Sequence, residues 1–487
     1  MNNSIIINSP NNSNLHFSSD NIDVAILLRF LRHMRISEFF KNLTDHRQQA
    51  KTTYSISSLA LWAFSACFFR QGSKNALHTT LAQLAPENRE AILRFLEIEE
   101  NKLPHYSTVD DALSGIDYEE INQILLRLFK ERNLRKFFYQ YAEKLLPGNT
   151  YHLGTDGFHL HTYDHPHMTD EHGNNTCPYC LPRISHRGTK QETIRWVHVV
   201  ITFVFICEDF KIPIYIYPLK ANQVNPTQVE EKFKQECELT AARSVLPMIR
   251  KLFPKLNFTF LGDALYANRP FLSFCDQLGF EYIIVRKEKS LKSIGEKCDE
   301  LSKLDLYKIA YSWQQKETKG KEVIQRKASW FNHIVSSEDC QTNVLRFEET
   351  ILKANGGIKS QYKGEWLCSQ RLSKERSFRF AKRGRMRWDQ EDFHNTCKNR
   401  GFDIKHDMAR SNSNLLFVWK MMMFLAFLVF ELFSLSKLGK TSRGKRSLMK
   451  FAKDMLEQLV NILWSQIEAS SILRKAKIQF RFGWGPP

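Results

Sequence analysis

The sequence predicts a mixed α/β protein, with an all-helical N-terminal region, a mixed sheet flanked by helices, and further helix towards the C-terminal end. Three observations carry this reading. From Asp23 to about Phe138 apolar residues recur at three- and four-residue spacing. Near residue 150 the texture changes to short runs of β-branched and aromatic residues, and from about residue 387 the helical spacing returns.

Taken in order, residues 1–22 begin MNNSIIINSPNNSN and read as a loose polar tail, lacking the basic region and apolar stretch of a signal peptide. Residues 23–148 form the helical region, in which VAILLRFLRHM, ISSLALWAFSACFF, REAILRFLEI and YEEINQILLRLFKE each carry one apolar face. Ser107 or Thr108, just before VDDAL, is the expected N-cap of another helix. Over 149–288 the segments TYHLGTDGFHLHTY, IRWVHVVITFVFI, KIPIYIYPL, LNFTFLGDALY and FEYIIVRK read as strands, with a helix between the third and fourth. Residues 289–375 carry shorter strand-like pieces and read as a β-rich insertion; residues 376–435 then return to the core. Within that return, RWDQEDFHNTCKNRG (387–401) and the apolar 414–435 stretch read as helices. Residues 436–487 form a basic C-terminal region whose run KLGKTSRGKRSLMK (437–450) is loop-like.

The stretch MMMFLAFLVFELF is the one candidate for a membrane span, but Lys420 and Glu431 leave fewer uncharged residues than the roughly 20 a span requires. It reads as a buried helix, and no membrane partner is expected. Apolar residues make up 43% of the 487 and charged residues 25%, which sets disorder aside as the general state. The informative quantity is the net charge of +18, because so basic a chain concentrates polyanions around itself, and nucleic acid is the first partner to consider. The ten cysteines are scattered, with only Cys177 and Cys180 close together, so a disulfide scaffold is not expected and a reducing cytoplasm fits.

Two aspartates fall where an apolar strand gives way to a turn: Asp156 in LGTDGF and Asp263 in FLGDALY. A carboxylate there must be solvated, paired, used to cap a turn, or bound to a cation. A third carboxylate comes from the helix at 387–401. Arg387, Glu391, His394 and Lys398 share one face of it, an arrangement that suits either an ion-pair ladder or a cation site with phosphate-gripping neighbours. Phosphodiester cleavage uses two hard cations to activate the attacking oxygen and stabilise the leaving one, and three carboxylates suffice to hold them. Leading into this helix, RLSKERSFRFAKRGRMR (371–387) would set Arg383, Arg385 and Arg387 where they could grip a DNA backbone.

These residues resemble the DDE transposases of bacterial insertion sequences, in particular the group whose third carboxylate lies in a Tyr, two residues, Arg, three residues, Glu, six residues, Lys signature. Arg387, Glu391 and Lys398 stand at those spacings, while Gly384 stands where the signature has tyrosine. GRMRWDQEDFHNTCKNRGFDIKH and LGDALYANRPF are similar to the group's glutamate and second-aspartate segments, and the similarity runs from about residue 45 to 435. The resemblance implies a ribonuclease-H-like catalytic core interrupted by the β-rich insertion, and a helical N-terminal domain that recognises transposon ends. It implies that Asp156, Asp263 and Glu391 bind two Mg²⁺ ions, for which Mn²⁺ can substitute, to cleave element ends and transfer the strand into target DNA. A homodimer on double-stranded DNA and a nucleoid-associated, cytoplasmic location follow from the same resemblance. An inactive transposase-derived DNA-binding protein and a nuclease of this fold that cuts without joining are the competing readings; the presence of all three carboxylates favours an enzyme.

A second site is suggested by HLHTYDHPHMTDEHGNNTCPYCLPRISHRG, where Cys177 and Cys180 form a CxxC among histidines, as in structural zinc sites. His186 is the expected third ligand, with His167, His172 or His198 as the fourth.

Overall fold

The computed structural model describes residues 22–221, 231–337, 340–409, 412–462, 464–469 and 477–478; the polar tail read at residues 1–22 lies outside them but for Ile22. Eight helices come first: α1 (Ile22–His33), α2 (Ile36–Phe40), α3 (Ile56–Phe68), α4 (Lys74–Ala82), α5 (Pro86–Phe95), α6 (Tyr106–Ser114), α7 (Tyr118–Lys130) and α8 (Arg132–Leu145). Every residue of α3 is buried, as its nearly unbroken apolar sequence requires. The start of α7 is fixed by a capping box between Asp117 and Glu120. The expected N-cap of α6 is corrected. The helix begins before Ser107, and His105 caps it, its Nδ1 accepting the Ser107 N–H at 3.2 Å.

The sheet follows, with β1 (Thr150–Tyr163), β2 (Leu181–Ser185), β3 (Thr193–Ile206), β4 (Lys211–Pro218), α9 (Glu231–Leu252), β5 (Asn257–Gly262), α10 (Arg269–Gln277) and β6 (Glu281–Val285). Strands β1, β3 and β4 form an antiparallel meander, and β2 shares the outer edge of β3 with β4. On its other side β1 pairs in parallel with β5, and β5 in parallel with β6. The order β4-β3-β1-β5-β6 therefore puts β1 in the middle. Its residues 150–155 are all buried, with Tyr151 and Phe205 stacked at 4.9 Å in the core beneath.

The stretch read as strand pieces opens instead on two helices, α11 (Lys292–Lys303) and α12 (Asp305–Ala310), before β7 (Ser312–Lys319), β8 (Glu322–Val335), β9 (Gln341–Leu352) and β10 (Ile358–Cys368). Helix α11 escapes a reading for apolar runs because charged residues dominate it, yet Ile294 and Cys298 bury its inner face. The end of β10 pairs with β6, so these strands extend the central sheet into one of ten strands.

The chain closes with α13 (Lys374–Arg385), α14 (Trp388–Asn399), α15 (Ser413–Leu435), α16 (Lys437–Arg443), α17 (Leu448–Asn461) and α18 (Trp464–Ala469). Helix α15 is long and apolar enough to cross a membrane, but 94% of its most apolar window is buried in this fold, packed on α3, α6, α7 and β4. Its Lys420 is fully buried and donates to the backbone carbonyls of Ile404 (2.6 Å) and His406; burial lowers its pKa to about 8. The basic run at 437–450 is largely helical rather than a loop. Within it Arg446 pairs with Asp23 of α1 (2.7 Å) and Asp454 of α17 (3.1 Å), which ties both ends of the chain into one helical layer.

Candidate active site

Asp156 and Asp263 come together through strand register. Gly154 of β1 pairs with Leu261 of β5, and each aspartate lies two residues further along its own strand direction. Neighbouring strands run about 4.8 Å apart and side chains repeat with period two, so the two carboxylates project from the same face, side by side. Asp156 Oδ1 accepts the Gly157 N–H at 2.9 Å, and Asp263 Oδ1 accepts the Leu265 N–H at 2.9 Å, where it caps a short 3₁₀ turn. The turn-capping role and a cation-binding role thus use different oxygens. Each Oδ2 is left without a hydrogen bond among the described residues.

Helix α14 lies over β1, β3 and β4 and brings Glu391 to this place. Its seat is Thr202, the β3 residue opposite Asp156. Gln390 Nε2 donates to Thr202 O at 3.1 Å and lies 3.0 Å from Thr202 Oγ1, which is itself 2.8 Å from His394 Nε2. On the outer side, Lys211 of β4 pairs with Asp392 (2.8 Å) and Asp389 (3.4 Å). A side chain at Gly154 would collide with Gln390 Oε1, so the close approach of α14 to β1 depends on that glycine.

The charges form one coupled group. Arg387 Nη2 lies 3.2 Å from Glu391 Oε1. Asp156 has its pKa raised to about 6, first by burial, against which Arg387 pulls it down, with Asp263 and Glu391 adding to the rise. Lys398 Nζ sits 5.0 Å above the Phe158 ring; burial and Lys405 lower its pKa, while Asp156 and Glu391 oppose them. His394 is lowered to about 3 by burial and then Lys398, so its imidazole is neutral at ordinary pH. A group of acidic oxygens beside two cations, on the central strands where β5 ends alongside β1, can hold hard divalent cations and neutralise phosphate.

Of the other arginines, Arg385 pairs with Glu349 of β9 at 2.7 Å and lies over the Tyr362 ring, so it is held on the β9–β10 face. Arg383 is buried among Gly148, Thr150 and Glu281 at the opposite end of β1, away from the carboxylates. Glu238 of α9 was not anticipated. It is buried, and a Cβ on Gly157 would lie 2.9 Å from its Oε1, so a further carboxylate packs against β1 on the face opposite Asp156, near Tyr266. In sequence it is one more acid in the run EEKFKQECE, and nothing there distinguishes it.

The histidine and cysteine site differs from expectation. His167, Cys177 and His198 converge, their ligand atoms all within 4.8 Å of one another, and this group could hold a metal such as zinc. His186, the expected third ligand, is exposed at a tight turn with φ 53°, and His172 is also exposed. Sequence proximity favoured His186, whereas β3 pairing returns His198 to the CxxC from 18 residues past Cys180.

No curated protein sequence matches the chain. Residues 37–129, from within α2 to within α7, match the family model described as DDE_Tnp_1-associated, which points to a DDE transposase of the IS4-like group.

Proposed function

We propose that this protein is a DDE transposase that cuts double-stranded DNA at insertion-sequence ends and joins the freed 3′-hydroxyl to target DNA. The observation that carries the reading is the convergence of Asp156 from the middle of β1, Asp263 from the end of β5 and Glu391 from α14, with Arg387 and Lys398 beside them. The strand order β4-β3-β1-β5-β6, a meander followed by two strands parallel to β1, supports a ribonuclease-H-like core. The match over residues 37–129 supports the same family from an independent part of the chain.

Asp156, Asp263 and Glu391 would hold two Mg²⁺ ions, or Mn²⁺ in their place. The donor set fits: hard oxygens only, the Oδ2 of each aspartate without a hydrogen bond among the described residues, and Asp156 raised by burial and then by its neighbouring carboxylates, which a cation would offset. The chemistry such ions supply when bound is activation of the attacking oxygen and stabilisation of the departing one. Lys398 and Arg387 orient the scissile phosphate and offset charge that builds on it. Thr202, Gln390 and Lys211 fix α14, so the glutamate is positioned before substrate arrives. Exposed Arg376, Arg379 and Lys382 on α13 bind the DNA backbone away from the carboxylates, Arg379 beside Thr150 and Lys382 beside Glu208 just past the end of β3. The N-terminal helices recognise the element end, and two copies pair two ends.

The test is cleavage of a labelled duplex carrying the element's terminal repeat, with Mg²⁺ or EDTA, by wild type, Asp263→Ala and Glu391→Ala. Nicking at the repeat boundary only with Mg²⁺, lost in both variants while gel-shift binding persists, is the expected result. Full cleavage by Asp263→Ala overturns the assignment. Binding without nicking in any divalent metal would indicate an inactive descendant, and nicking without strand transfer a nuclease.

A further inference from the structure

We propose that Cys177, Cys180, His198 and His167 form a structural zinc site that clips the far ends of β1 and β3 to the loop following α14. His198 Nε2 lies 3.4 Å from Cys177 Sγ and 3.2 Å from Cys180 Sγ. Tetrahedral zinc, with Zn–S about 2.3 Å and Zn–N about 2.0–2.1 Å, separates sulfur from nitrogen by about 3.5 Å. Both thiols are free and buried, as is the His198 ring. The His167 ring nitrogens divide as a ligand's would: Nε2 lies 2.9 Å from the Ala409 carbonyl, while Nδ1 is buried with no hydrogen-bond partner among the described residues, and the residue belongs to the group that meets Cys177 and His198. A backbone carbonyl on the second nitrogen is the usual support for a metal-bound imidazole. Four protein ligands, three buried and His167 half-buried, would leave no open position, which fits a structural ion and not a catalytic one.

The clip reading follows from what surrounds the four residues. His167 hydrogen-bonds to Ala409, Tyr163 donates to Asp407 at 3.3 Å, and His161 Nδ1 lies 3.2 Å from the Lys405 carbonyl. Lys74 reaches Met408 O at 2.7 Å, and buried Lys420 holds Ile404 and His406. The loop from Ile404 to Ala409 therefore takes anchors from β1 (His161 and Tyr163), from α4 and α15, and from His167 just past β1, the one that an ion would lock to β3. Lys405 in that loop is the charge that acts most strongly on Lys398 of α14. This inference stands on the cysteine and histidine geometry and is independent of the transposase reading.

Protein purified under reducing conditions without added metal should contain one zinc per chain, and cobalt(II) exchange should give the visible absorption of a tetrahedral thiolate site. Cys177→Ser or His198→Ala should lose the metal, while His186→Ala and His172→Ala should retain it. Because the first pair could fail to fold, zinc release from wild type by a mercurial thiol reagent gives a second reading, and amide exchange over residues 404–409 should rise on release. Wild type without zinc and without the cobalt absorption, or a Cys177–Cys180 disulfide in reduced preparations, overturns the site. Unchanged exchange in that loop after release overturns the clip.

Discussion

The indole of Trp366 occupies the space that a side chain at residue 384 would need: a Cβ on Gly384 would lie 2.6 Å from Trp366 Cε2 and 2.7 Å from its Nε1. Trp366 itself is 1% exposed, so it has nowhere to move. Glycine at position 384, where the signature has tyrosine, is therefore a packing requirement of this fold, because the β10 tryptophan takes the space beside it.

Gly384→Tyr should consequently destabilise the protein instead of restoring a missing interaction. Even Gly384→Ala gains about 1 kcal/mol of helix propensity in α13 and loses about 1–3 kcal/mol to overpacking, so its net effect is neutral to unfavourable. Trp366→Ala alone opens a cavity at about 3–5 kcal/mol. The two changes touch the same space, so Gly384→Tyr with Trp366→Ala should be more stable than the sum of the single losses, by roughly 1–3 kcal/mol of coupling. Denaturant unfolding of the four proteins measures this, and additive losses would refute the exchange of rings.

Asp156→Asn should stabilise the folded protein while abolishing cleavage. The folded-state pKa of Asp156 is raised from 3.8 to about 6, so its ionisation costs folding stability as pH rises through that window. At pH 7.5 the asparagine, which keeps the acceptor for Gly157 N–H, should gain about 1–2 kcal/mol. About one unit or more below the unfolded pKa of 3.8 the aspartic acid is neutral in both states and the gain should vanish. Mg²⁺ should raise the melting temperature of wild type more than that of the variant. A variant less stable than wild type at pH 7.5 would mean that Arg387 outweighs burial and the two other carboxylates.

The salt dependence of DNA binding should separate exposed from buried cations in α13. Replacing Arg376, Arg379 and Lys382 by glutamine should flatten the plot of log affinity against log salt by up to about 3 in slope, near 1 for each phosphate no longer neutralised. Arg383→Gln should leave the slope unchanged, because that side chain is buried, although it shares a cavity with exposed Arg379. An unchanged slope in the triple variant would remove α13 from the DNA path.

The parts of the site that could be read from sequence are those set by local pattern. Asp263 follows directly on the end of β5, and Arg387, Glu391 and Lys398 follow helical spacing. Asp156, expected at a strand end, lies instead in the middle of β1, which runs on to Tyr163. Periodicity grouped the helix residues, and the resemblance grouped the carboxylates. What escaped depends on long-range pairing. The β1–β3 hairpin brings His198 to the cysteines in place of His186, the packing of α9 on β1 puts Glu238 beside Gly157, and β10 carries Trp366 over Gly384. None of these has a local signature. The helices α11 and α12 were missed for another reason: they bury little, and α12 has no buried residue at all.

Thr202 offers a test of positioning at a distance from the reacting atoms. Its hydroxyl meets both Gln390 and His394, the residues on either side of Glu391 on the buried face of α14. Thr202→Val keeps the shape of the side chain and the backbone carbonyl that Gln390 also uses, but leaves His394 Nε2 buried without a partner. Because burial already holds that imidazole neutral, it cannot recover solvation by charging above about pH 3, and the loss should be about 1–3 kcal/mol of stability. If α14 shifts as its seat loosens, the Mg²⁺ concentration for half-maximal cleavage should rise several-fold while DNA affinity stays within twofold. Thr202→Ser, which keeps the hydroxyl, should restore the Mg²⁺ requirement. A Thr202→Val protein with reduced stability and an unaltered Mg²⁺ requirement would show that the seat holds the fold without setting Glu391.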